Sequence, residues 1–113
     1  MFRSALLGCL ALSMLVSPAM ARTDCDRFAK DNVTGTITET KVWKDTNGKP
    51  TTFLFRIKQT GGKCNVEHIE GPDNSKCKLG ASVKASGWAS YGAFGNKPDD
   101  FAPMLHATKM TCK

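Results

Sequence analysis

The chain of 113 residues carries two histidines, one tyrosine, no internal repeat and no low-complexity tract. Each scarcity excludes something. The two histidines, His68 and His106, fall on different predicted strands with no free cysteine beside them, so neutral, hydrogen-bonded imidazoles are expected rather than metal ligands. The lack of repeats and linkers leaves one domain and no array. The longest apolar run, residues 5–16, is too short to span a bilayer, and stable membrane insertion is not expected. No nucleophile elbow is present, because Gly87-Trp88-Ala89-Ser90-Tyr91-Gly92 has one residue too many before the serine. A zinc site built from Cys64, Cys77, His68 and His106 would need thiolates kept reduced outside the cytoplasm. Asp99-Asp100 reads as a turn cap. The sequence therefore predicts neither an enzyme nor a bound metal or cofactor.

The first 21 residues read as a signal peptide. Arg3 supplies a positive start, residues 5–16 the apolar segment, and Ala19-Met20-Ala21 a small-x-small cleavage site. Residues 22–113 are then a single exported domain of 92 residues, periplasmic or secreted. That is a small core for a chain to fold on unaided. Four cysteines remain, Cys25, Cys64, Cys77 and Cys112, an even number bound for an oxidising compartment, and two disulfides are expected. Four cysteines allow three pairings. The nearness of chain ends in small domains favours Cys25 with Cys112, leaving Cys64 with Cys77.

Period-2 alternation and turn residues organise the remainder. A long first strand (33–44) carries Val33, Gly35 and Ile37 on one side. Its apolar parity switches before Val42, which predicts a bulge, with Gly35 as a point of bending. Asn47-Gly48 marks the next turn. The second strand (51–58) points Phe53, Phe55 and Ile57 to the core, and Leu54, Arg56 and Lys58 outward. A third strand is expected over 63–69, a loop over 70–79, a fourth strand over 83–90 with a bulge at Gly87, a long loop over 90–103 and a closing strand over 105–112. Ahead of these, Phe28 is expected to pack against the barrel end from a single helical turn.

Five strands, the first long and containing Gly35, the fourth carrying Gly80-x-x-Val83-x-Ala85-x-Gly87, and a fifth returning after a long loop, resemble the oligonucleotide/oligosaccharide-binding (OB) fold. The similarity is greatest to small exported bacterial OB-fold proteins and covers about 33–112. It implies an all-β, five-stranded antiparallel OB-like barrel with two disulfides, another small barrel or sandwich being the alternative. The helix found in that family between strands three and four has almost no room in 70–79. The resemblance also implies a binding face over strands two and three, bearing Leu54, Arg56, Lys58, Asn65 and Glu67 and walled by residues 44–49 and 91–101.

Without Arg3, 15 basic residues face 10 acidic ones, an excess of five that favours acidic partners. The candidate binding residues are Lys41, Trp43, Lys44, Lys49, Arg56, Lys58, Tyr91, Phe94 and Phe101. Lysines following a polyanion beside stacking aromatics suit single-stranded nucleic acid. Aromatic platforms in the loop 91–101 suit a glycan, as in toxin-type subunits. The reading favoured by the residues is a non-enzymatic binding module for an envelope protein or an anionic polymer, whether polysaccharide or nucleic acid.

Overall fold

The computed structural model describes residues 22–95 and 100–113, so the expected signal peptide (1–21) and Asp99 lie outside the described residues. Five strands, β1 (Lys30–Lys44), β2 (Pro50–Gly61), β3 (His68–Gly71), β4 (Ser82–Ala93) and β5 (Phe101–Cys112), close into an OB-like barrel in the order β1-β2-β3-β5-β4. The barrel is mixed rather than wholly antiparallel: β3 runs parallel to β5, with Ile69 opposite Leu105. Parity requires this. Strand directions cannot alternate all the way round a ring of five, so one neighbouring pair must be parallel, and the shortest strand supplies it.

β1 is long because it serves two partners. Its first half pairs with β4 from Lys30 opposite Trp88 to Thr36 opposite Ser82, and from Thr34 onward it also pairs with β2. The anticipated bulge is present as a register shift between Ile37 and Glu39. Before it, Val33 and Ile37 point into the barrel. Beyond it, Val42 stands opposite Phe53 and Glu39 opposite Arg56, so the inward parity has changed. At the next turn Gly48 takes φ +80°, and the Asp45 carboxylate accepts the N–H groups of Asn47 and Lys49 at 2.8 and 2.9 Å.

The core joins Val33, Ile37, Phe55, Ile57, Ile69 and Leu105 to the small residues Ala85, Ala89 and Ala107 of the facing strands. Alternating large and small side chains fill a narrow barrel without voids. Phe53, expected in this core, is only half-buried at its margin. Its cross-strand partner Val42 is exposed, because β1 and β2 run on past the barrel end as a two-stranded ribbon.

Other expectations need correction. Residues 63–67 are not part of the third strand; β3 begins at His68, because the Asp31 carboxylate captures the amides of Lys63 and Cys64 at 2.9–3.2 Å and draws that stretch to the start of β1. The long loop after the fourth strand is mostly hairpin, since Tyr91, Gly92 and Ala93 pair with Pro103, Ala102 and Phe101. Phe28 does not plug the barrel. It sits in a turn with φ 70° and is 68% exposed, while Ala29 packs on the core instead.

The disulfides are Cys25–Cys64 and Cys77–Cys112, not the pairing favoured by the nearness of chain ends. Local hydrogen bonding decides both. Thr23 runs parallel to Cys64, donating to the Lys63 carbonyl and accepting from the Asn65 amide, which sets Cys25 beside Cys64. At the other end Lys113 and Ser82 exchange both backbone bonds, so Cys112 finishes next to the loop that holds Cys77.

Candidate binding surfaces

The face implied by the resemblance, the outer side of β2 and β3, is covered by the β4–β5 hairpin around Leu54 and Arg56, while Lys58, Asn65 and Glu67 are exposed. Leu54 lies on the outer parity as expected yet is 3% exposed. Phe94 folds over the same face and is as deeply buried, its ring edge-on to His68 at 5.6 Å between centroids. The Arg56 guanidinium lies 4.3 Å from the Phe94 ring centre, bonds Glu39 at 2.6 Å and approaches Asp100 at 3.7 Å. Two carboxylates and an aromatic face thus engage the strand-two cation, leaving little of its charge for an outside anion.

The remaining sequence candidates are dispersed. Lys41 caps Trp43 at 5.8 Å, and Trp43 with Lys44 edges an open depression of about 350 Å³ that reaches Glu70 and Met104. Lys49 is exposed in the β1–β2 turn. Tyr91 and Phe101 stack on each other at 6.3 Å on the exposed hairpin. Asn65 and Glu67 belong to the stretch before β3, where Asn65 donates to Asp24 at 2.8 Å. Lys58 is exposed on the same side of β2 as Arg56 and stands opposite Thr36.

Of the two histidines, His106 has its partner, with Nδ1 3.0 Å from the Glu70 carboxylate and its ring stacked on Trp88 at 4.5 Å. His68 departs from expectation: it is 1% exposed and its Nε2 has no hydrogen-bond partner. Burial, reinforced by the Arg56 charge, lowers its pKa from 6.5 to about 4, with Glu70 and Asp100 opposing. Below pH 6.5 the unfolded chain protonates here and the barrel does not until about pH 4. Unfolding therefore binds a proton across that window, and stability conferred by the neutral ring above it is lost on acidification, by about 3 kcal/mol at the lower end. His68→Leu should gain in urea midpoint relative to the wild type between pH 7 and pH 4; parallel pH profiles for the two proteins would contradict this assignment.

Opposite the covered face, β1, β4 and β5 present a surface of another composition. The outward positions of β1 are Lys30, Asn32, Thr34 and Thr36, and those of β4 facing them are Trp88, Ser86, Lys84 and Ser82. On β5, Lys109 stands opposite Ser86 and Thr111 opposite Lys84. None of these is acidic. Asp31 also lines this surface, but it is buried and its carboxylate accepts the backbone amides of Asn32, Lys63 and Cys64. Lys30, Lys63, Lys84 and Lys109 are exposed, and among the described residues none of them is in an ion pair. Two adjoining depressions of about 470 and 500 Å³ share Asn32 and Ser86 and form one groove. Lys30, Asp31, Lys63 and Trp88 line its first half, Lys84 and Lys109 its second.

No family model, curated protein or solved structure matches this chain.

Among the described residues no group of three or more His, Cys, Asp or Glu side chains is placed to hold a metal ion. The groove gathers lysine ammonium groups beside hydroxyl and amide side chains, an array that attracts and orients an anionic ligand. The signal was present in the sequence as two alternating polar runs, Lys30-x-Asn32-x-Thr34-x-Thr36 and Ser82-x-Lys84-x-Ser86-x-Trp88. Only closure of the barrel sets them side by side.

Proposed function

We propose that the protein is an exported, non-enzymatic binding module for an anionic polymer, held in the lysine-lined groove across β1, β4 and β5. The observation carrying this reading is the coincidence there of four lysines, none in an ion pair among the described residues, with hydroxyl and amide side chains and a single carboxylate, that of Asp31, which is buried and engaged by backbone amides. Two disulfides in so small a domain are consistent with a periplasmic or extracellular location. A closed five-stranded barrel with a long first strand supports kinship with small exported bacterial OB-fold proteins, although the favoured surface lies away from their strand-two and strand-three face.

Neutralising a polyanion releases its condensed counterions, so affinity should fall steeply with salt. Binding to dextran sulfate is expected to weaken more than about tenfold in the Lys84→Glu/Lys109→Glu variant, with a salt slope shallower by about two. Unchanged affinity and slope in that variant would remove the groove from the function.

A further inference from the structure

The groove offers more than charge. Between its lysines lie the side-chain amide of Asn32 and the hydroxyls of Ser86, Thr108 and Thr111, and at one end stands a single tryptophan. Trp88 is half-buried with one face stacked on His106, and its remaining surface lines the groove opposite Lys30. A stretch of single-stranded nucleic acid is held by several aromatics in succession, one for each base stacked. Among the described residues Trp88 is the one aromatic lining the groove. The unbroken register from Trp88 to Tyr91 puts Tyr91, and Phe101 stacked on it, on the opposite face of the β4–β5 hairpin. One ring, held rigid by a second ring behind it, suits the apolar C–H face of a sugar, whose electropositive hydrogens meet the electron-rich face of the indole. The neighbouring hydroxyl and amide groups answer the sugar hydroxyls, and the lysines answer carboxylate or sulfate groups recurring along the chain.

We infer that the polymer bound in this groove is a linear acidic polysaccharide, with Trp88, backed by His106, as the platform for one sugar ring and Lys30, Lys63, Lys84 and Lys109 as the contacts for its anionic groups. The inference rests on the polyanion reading above and narrows it from charge to chemical class.

Calorimetric titration of the full exported domain with a heparin octasaccharide, and with an oligothymidylate matched to it in charge, tests the assignment. The octasaccharide should bind at least about tenfold more tightly than the oligonucleotide, and Trp88→Ala should lose about tenfold of the octasaccharide affinity while leaving the salt slope unchanged, because an indole releases no counterions. Trp88→Phe, which keeps a ring, should retain most of that affinity and preserves the comparison if thermal melts find the alanine variant unfolded. Equal or tighter binding of the oligonucleotide would overturn the inference in favour of nucleic acid. So would octasaccharide affinity indifferent to Trp88→Ala but sensitive to Lys84→Glu/Lys109→Glu, a result that leaves polyanion binding standing. If neither polyanion binds the wild type, the underlying reading falls as well.

Discussion

Replacing Cys25 and Cys64 together by serine should lower Tm by about 15 °C or more, since each cross-link contributes about 4 kcal/mol on the chain-entropy model and 1 kcal/mol corresponds to about 4–8 °C in a domain of this size. Cys77→Ser/Cys112→Ser should cost nearly the same, because the sequence separations, 39 and 35 residues, are so close. The mixed variant Cys25→Ser/Cys112→Ser separates the observed connectivity from its alternative. It breaks both bridges, leaves Cys64 and Cys77 as free thiols and should lose about twice as much, enough to unfold a domain of ordinary stability. A mixed variant with no titratable thiol and a melt no lower than that of the matched pairs would reject the connectivity.

Gly87→Val should be nearly as damaging, for a reason of space. At the register shift between Ser86 and Gly87, β4 lies so close to β5 that a β-carbon on Gly87 would overlap the His106 carbonyl oxygen, and it would also meet the His106 carbonyl carbon at 2.8 Å and the Ala107 Cα at 2.9 Å. All three atoms are backbone of the strand that closes the barrel, so no rotamer relieves the conflict. A loss of about 4 kcal/mol or more is expected in urea unfolding, against little change for Ser86→Ala one residue earlier. A Gly87→Val protein with the wild-type urea midpoint would contradict the close approach on which the β4–β5 seam depends.

Alternation and turn chemistry carried most of the fold. The switch of parity between Ile37 and Val42 announced the bulge that lets one strand serve two partners, and Asn47-Gly48 announced its turn. What local pattern could not supply was long-range capture. Nothing in residues 63–67 announces that an aspartate 32 positions earlier will take the Lys63 amide, yet that contact shortens β3 and brings Cys64 to Cys25. The same limit explains the candidate site. Arg56 and Lys58 looked like one cationic pair because they share a strand parity, but Arg56 meets Glu39, Asp100 and Phe94 while Lys58 stands across from Thr36. The lysines of the groove lie on β1, β4, β5 and the stretch before β3, and none is near another in sequence.

That groove is the centre of the account, and amide chemical-shift mapping with the heparin octasaccharide tests it most directly. Perturbations should concentrate on Lys30, Asn32, Lys63, Ser86, Trp88 and Lys109 and leave Arg56, Phe94 and Asp100 unmoved. Shifts gathered instead on Arg56, Phe94 and Asp100 would place recognition on the face that the hairpin covers, and would contradict the assignment made here.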